Sequence, residues 1–312
     1  MKNETSELNI ISYNIHSCVG TDGQYSISRI CNFLSSSSQS NTTPSILCLQ
    51  EIESNTKHQQ TRLWSASHCH NQPNEVASAL QLPFVHFAPA ITSVVKSTRV
   101  REKHNAEEAR YGAFGIAILS KYPIVQVKEL KYKRYGTKTL RNAIACLISL
   151  PGKETVWIVN THLGCHWGGE QYQQSLELVS FLQSLEETAA STEGIMLCGD
   201  FNSLSLFRSV QTIQSSFEGG IVDTWCEKGI DMGGKNGSIC RVKGCTFPVS
   251  CPLMRLDYIF WRKNKNGRDG DDGEDGLVLK CVFVLAGGEE KGEQLKYASD
   301  HLPLCAIFTI MS

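Results

Sequence analysis

The chain has 312 residues, 41% of them hydrophobic and 20% charged, with a formal net charge of −1. That balance excludes a disordered chain, and the near-neutral charge excludes any global attraction to nucleic acid or to an anionic membrane surface. No apolar run reaches the length of about 18 residues that a membrane span needs. Met1 to Asn9 is polar, with Glu4 and Glu7 where a secretory signal would be apolar, so an intracellular protein, cytoplasmic or nuclear, is expected.

In chain order, Leu8 to Tyr13 reads as a strand, Ile27 to Leu34 as a short helix and Ile46 to Gln50 as a second strand. A helix is expected near Asn74 to Leu80, followed by Phe84 to Val95, whose apolar content suggests a modest exposed patch. Gly115 to Leu119, Ala143 to Leu150 and Val156 to Asn160 are further strands rich in Ile, Val and Leu. The clearest helix runs from Glu170 to Glu187, with Tyr172, Leu176, Val179 and Leu182 as its apolar stripe. Ile195 to Cys198, Leu256 to Phe260 and Pro303 to Ile310 complete the strands, and a helix is plausible over Leu204 to Ile213. Ser35 to Thr43, Thr98 to Arg110 and Arg262 to Gly276 read as surface loops. Strands of the same character resume after each loop, so residues 1–312 form a single domain, and no internal repeat is visible. Strands outnumber helices, which points to a mixed sheet or two packed sheets flanked by helices.

The thirteen cysteines are odd in number and mostly set in apolar runs, as in ILCLQ and IMLCGD, which reads as buried reduced thiols in a reducing compartment. Cys226, Cys240, Cys245 and Cys251 do not reproduce a paired C-x-x-C zinc spacing. Between Lys121 and Arg141 seven basic residues and one acid, Glu129, interleave with Tyr122, Tyr132 and Tyr135. That segment is either a solvated pair of strands and their turn or a positive rim beside a phosphate site.

Polar residues at the ends of buried strands carry the chemistry, since open α/β sheets place their sites there. Asn14 closes LNIISYN, Glu51 closes ILCLQE, His162 closes VWIVNTH, Asp200 and Asn202 close IMLCGDFN, Asp257 opens LDYIF, and Asp300 with His301 precede PLCAIF. Glu51, Asp300 and the amide of Asn14 are hard oxygen donors suited to Mg²⁺. Asp257 could hold His301 in one tautomer, while His162 and Asn202 could donate to phosphate oxygens as charge builds in a transition state.

The order and wording of SYN, LQE, THL, GDFN, LDY and SDHLP resemble the endonuclease/exonuclease/phosphatase (DNase I-like) superfamily, from about residue 8 to the end. The resemblance implies a four-layer αββα sandwich, an α/β fold of two packed mixed β-sheets flanked by helices. It implies a metal-dependent phosphoesterase that hydrolyses a phosphodiester or phosphomonoester with activated water, using Mg²⁺ or alternatively Mn²⁺. By position, Glu51, Asn14 and Asp300 match the metal site, and Asp200 and Asn202 match the pair that orients the nucleophile. His162 matches the phosphate-binding histidine, and His301 the histidine paired with Asp257. Asp200 and His301 are the two candidates to take the proton from water, and His301 is the one adopted. Arg141 and Asn142 are candidate substrate contacts. A nuclease or DNA-end repair phosphodiesterase is the leading specific case, with nucleic acid among the candidate substrates. A sphingomyelinase-like lipid or inositol phosphate phosphoesterase and an inactive binding module are the alternatives. A monomer is expected.

Overall fold

Each of the long apolar runs is buried on both faces, so alternating residues of one strand feed two different cores. In β1 (Ser6–Asn14), Leu8 and Ile10 point into one cluster and Ile11 and Tyr13 into another. The structure, a computed structural model, describes residues 6–36, 43–54, 71–94, 111–136, 139–166, 169–187, 192–230, 244–263, 276–285, 289–291 and 294–311. The elements after β1 are α1 (Ile27–Ser36), β2 (Ile46–Ser54), α2 (Gln72–Ala79), β3 (Phe84–Val94), β4 (Tyr111–Ser120), β5 (Ile124–Lys131), β6 (Asn142–Ser149) and β7 (Thr155–His162). Then come α3 (Glu170–Glu186), β8 (Gly194–Asp200), α4 (Arg208–Gln214), β9 (Val222–Asp223), α5 (Thr224–Lys228), β10 (Asp257–Lys263), β11 (Gly276–Val284), β12 (Glu289–Lys291), β13 (Gln294–Lys296) and β14 (Leu304–Met311).

Two six-stranded mixed sheets result, ordered β11-β14-β1-β2-β4-β3 and β5-β6-β7-β8-β10-β9, with β12 and β13 as a separate hairpin. Ile10, Cys48, Ile118, Ile144, Ile158, Cys198, Ile259 and Phe308 pack between them as the inter-sheet core. Ile30, Leu34, Val76 and Leu80 of the first two helices cover the outer face of the first sheet. Leu178, Leu182, Val210 and Ile213 of α3 and α4 cover the outer face of the second. This is the four-layer α/β sandwich.

The inter-sheet core is not wholly apolar. Gln50 Nε2 donates to Asn160 Oδ1 at 2.7 Å, and Asn160 Nδ2 donates to the carbonyls of Leu49 and Ala117, both at 2.9 Å. These bonds tie β7 to β2 and β4 across the sandwich, close to where the polar strand ends gather.

Several expectations need correction. The buried face of α3 is Gln171, Gln174, Ser175, Leu178, Leu182 and Leu185, and Leu176 is 39% exposed. The true stripe includes polar residues that close around the start of the helix, which a search for apolar spacing passes over. α4 starts at Arg208, later than expected, because residues 204–207 form a turn closed by Phe207 N to Leu204 O. Phe84–Val94 is a half-buried edge strand paired with β4 and not a surface patch. The segment from Lys121 to Arg141 holds one strand, β5, whose partner β6 starts only at Asn142. The expected loop over Thr98 to Arg110 lies outside the described residues, as do most of Ser35 to Thr43 and of Arg262 to Gly276. Eleven cysteines are described, and no disulfide joins any two of them. Among the described residues no helix is long and apolar enough to cross a membrane.

Candidate active site

Strand register alone brings three of the expected residues side by side. In the second sheet Asp200 pairs with His162 of β7 on one side and with Asp257 of β10 on the other. The close approach of β7 and β8 depends on Gly199, with φ at 153°, where a Cβ would lie 2.2 Å from the Thr161 carbonyl oxygen. No other residue fits the G of GDFN without moving that strand. The first sheet contributes Asn14 at the end of β1 and, in the turn before β14, Ser299, Asp300 and His301. Ser299 Oγ anchors that turn by donating to the Asn14 carbonyl at 2.7 Å.

Glu51 reaches the site by a backbone irregularity. The pairing of β2 with β4 skips between Gln50 and Ile52, and Glu51 takes a left-handed φ of 55°. A bulge of this kind re-aims one side chain. Gln50 stays inside, bonded to Asn160, while Glu51 turns toward the mouth of the site, its Oε1 4.0 Å from His162 Nε2. Asn202 also sits in the left-handed region, at φ 47°.

Asp200 is the hub. Its Oδ2 accepts from Asn14 Nδ2 at 3.0 Å and its Oδ1 from the Asn202 backbone N–H at 2.8 Å. The same Oδ2 lies 3.5 Å from His162 Nε2 and 3.8 Å from His301 Nε2. His301 Nδ1 is 2.9 Å from Asp257 Oδ2, which also accepts from Thr246 Oγ1 at 2.5 Å. Asn202 Nδ2 lies 3.1 Å from both His162 Nε2 and the Leu163 carbonyl oxygen. Asp200, Asp257, His162 and His301 are all buried, whereas the Asp300 side chain is 37% exposed and marks the opening.

Burial pushes the Asp200 carboxyl up to about 7, against the lowering pull of His301 and of the hydrogen bonds from Asn14 and Asn202. Burial alone would lower His301, but Asp257 and Asp200 together more than reverse it and raise the imidazole to about 10. The pair therefore holds its proton on His301, between two carboxylates.

Asp200, Asp257 and His301 lie close enough together to hold a metal ion. Asp257 and His301 are already bonded to each other, and Asp257 Oδ2 is doubly hydrogen-bonded, so this trio is better suited to holding a proton. Glu51, Asp300 and Asn14 are the hard-oxygen donors of the kind a divalent cation takes, although Asn14 Oδ1 also accepts from the His16 backbone N–H at 3.0 Å. Two of the three are carboxylates, and both of those are partly exposed, as an ion that keeps some of its waters requires.

Arg141 is buried beside the cluster, its Nη1 3.1 Å from His162 Nδ1. Asn142 is buried too but turns the other way, donating to the Ala88 carbonyl of β3 at 3.0 Å, and it makes no hydrogen bond to the cluster. Three residues were missed from the sequence. His16, two residues after Asn14, places Nδ1 3.0 Å from the Val19 carbonyl oxygen and 4.0 Å from Asp300 Oδ1. Thr246 holds Asp257, and the ring of Phe247 packs 4.8 Å from that of His301. The NIH triplet is a weak signal for the first, and the TFP segment holds the other two.

A sequence model of the Endonuclease/Exonuclease/phosphatase family matches residues 11–301. No curated protein sequence matched the chain. Among solved structures, an endonuclease/exonuclease/phosphatase from Beutenbergia cavernae is similar at 18% identity and a TM-score of 0.65, over 98% of this chain and 72% of that one. The mannosyl-6-phosphatase Bt3783 of Bacteroides thetaiotaomicron is 16% identical with a TM-score of 0.64, over 96% and 99% of the two chains. A humanized D. rerio TDP2 carrying 14 mutations is 17% identical with a TM-score of 0.60, over 97% and 98%. The family match over nearly the whole chain, on the sandwich and strand-end cluster described above, means that the chain belongs to the endonuclease/exonuclease/phosphatase family.

Proposed function

We propose that the protein is a divalent-metal-dependent phosphoesterase that hydrolyses a phosphate ester with an activated water. The observation that carries this reading is the convergence on Asp200 of Asn14, His162 and His301 from separate strand ends and of Asn202 from its own, with Glu51 and Asp300 at the mouth. Glu51, Asp300 and Asn14 would hold Mg²⁺, or Mn²⁺ in its place. The ion would supply charge neutralisation at the phosphoryl oxygens.

The chain's own residues divide the remaining work. Asp200 takes the proton from water, since its carboxyl sits near neutrality and both its oxygens are oriented by hydrogen bonds. This replaces His301 in that role. His301, held protonated by Asp257, offers its Nε2–H as a charged donor facing the reaction centre. His162 and Asn202 donate to the non-bridging oxygens, and Arg141 supports them from behind. Asn142 is better read as a tie between the sheets than as a substrate contact.

The surroundings support one substrate class over the others. Tyr132 is buried with its hydroxyl on Thr161 and so is not free to stack on a base, while Tyr135 is half-buried and donates to Glu177. Lys131, Lys133 and Arg134 are exposed. Those cations support a phosphodiester in a nucleic acid as the leading substrate, held chiefly by its backbone.

A panel of DNA and RNA with free and blocked ends, sugar and inositol phosphates and sphingomyelin, with Mg²⁺ present, tests the reading. Turnover of one substrate class should disappear in EDTA and fall by orders of magnitude in Glu51→Gln without loss of fold. Silence across the panel, or full activity in chelator, would sink it.

A further inference from the structure

His162 receives a hydrogen-bond donor at each ring nitrogen, an arrangement that a neutral imidazole cannot satisfy. Arg141 Nη1 is 3.1 Å from Nδ1, and Asn202 Nδ2 is 3.1 Å from Nε2. A neutral ring has a single acceptor nitrogen, and an imidazolium has none. One donor must yield. A side-chain amide can turn over and present its oxygen, whereas a guanidinium carries only N–H groups and has no acceptor to offer. Arg141 is also fixed in place, 6% exposed. Among the described residues it has no carboxylate within ion-pair distance.

We propose that Arg141 is a positioning residue that locks His162 as the Nε2–H tautomer, so that the ring presents an N–H to the reaction centre. Nδ1 accepts from the guanidinium. The proton therefore resides on Nε2, the nitrogen 3.5 Å from Asp200 Oδ2 and 4.0 Å from Glu51 Oε1. Two carboxylate oxygens on that side favour the positive end of an N–H dipole there. The Asn202 amide turns its Oδ1 to that N–H and gives up its bond to the Leu163 carbonyl. An imidazolium is disfavoured, because its Nδ1–H would face the N–H of the guanidinium. His162 is then a neutral donor to a phosphoryl oxygen and cannot serve as the base.

The catalytic consequence rests on the phosphoesterase reading, but the tautomer does not. Long-range proton–nitrogen-15 correlation spectra of the whole metal-free protein, with His162→Gln to assign the ring, report which nitrogen bears the proton. The wild type should show Nε2–H. Arg141→Lys should keep that state, since an ammonium also donates and cannot accept. Arg141→Met should move the proton toward Nδ1, as Asn202 takes over Nε2. A wild-type ring protonated on Nδ1 overturns the proposal even if the methionine variant fails to fold, as does an Arg141→Met spectrum unchanged from wild type.

On the substrate found active, Arg141→Met should lower kcat about 10²–10³-fold, the scale of losing one donor to the phosphoryl oxygens, with KM changed only a few-fold. In a His162→Ala background the same change should cost less than about threefold more, because the arginine acts through the ring. Additive losses would mean that Arg141 touches the substrate directly, which overturns the positioning role. Absence of any turnover in the wild type, with the tautomer as stated, would count against the phosphoesterase reading alone.

Discussion

Asp257→Asn isolates charge from shape at the His301 pair. Asp257 is fully buried, its Oδ2 accepts from both His301 and Thr246, and its Oδ1 has no hydrogen-bond partner among the described residues. An asparagine keeps the outline, and its carbonyl oxygen can still accept from His301 Nδ1. Its NH₂ group must then occupy the place of Oδ1, where nothing accepts it. A buried donor left unmet costs about 1–3 kcal/mol, which for a chain of this size lowers Tm by a few degrees. The larger effect is on the imidazolium. Without the Asp257 charge, the largest of the influences that raise His301 is lost, and Asp200 is left as its main charged partner. The charged donor facing the phosphoryl group is depleted at neutral pH, and kcat should fall about 10²–10³-fold, equivalent to about 3–4 kcal/mol of transition-state stabilisation. His301→Ala, which removes the donor altogether, should fall further. Initial rates at saturating substrate and Mg²⁺, together with a thermal melt of each variant, read both quantities. A kcat within about threefold of wild type would refute the reasoning, because no stability change can stand in for it.

In metal-free protein the raised His301 contributes stability fully below its unfolded value of about 6.5, and that contribution is lost as pH climbs toward 10. The raised Asp200 carboxyl acts in the same direction between its ordinary range and about 7. The melting temperature of wild type minus that of His301→Gln, measured in EDTA, should therefore shrink from pH 6.5 to 10, and a growing difference would contradict the ion pairing. Asn160→Ala removes three buried hydrogen bonds across the sandwich and should destabilise by about 2–4 kcal/mol in urea titrations. A loss under about 1 kcal/mol would mean that the tie contributes little. Charge reversal at Lys131 and Lys133 should reduce the salt dependence of nucleic-acid affinity by about one to two in log–log slope. An unchanged slope would return these lysines to an ordinary solvated surface.

The strand runs, their order and the polar residues that end them are local properties, and they are legible in the sequence. Apolar runs must be buried on both faces, and the carboxylates and histidines that follow them have to lie at the sheet ends. That Asp200 lies between His162 and Asp257 is a matter of register, decided only when β7, β8 and β10 pair. The bulge that turns Glu51 outward while Gln50 reaches across to Asn160 breaks the alternation that periodicity assumes, so no spacing rule exposes it. Distant pairings are equally invisible in one dimension. Arg141, read from the sequence as a candidate substrate contact, is buried against His162, while its neighbour Asn142 bonds to β3. His16 and Thr246 became visible only through contacts with Asp300 and Asp257. Residue types and their order select the chemistry. Charge, tautomer and proton position depend on burial and on partners far away in sequence, and only the folded chain brings those together.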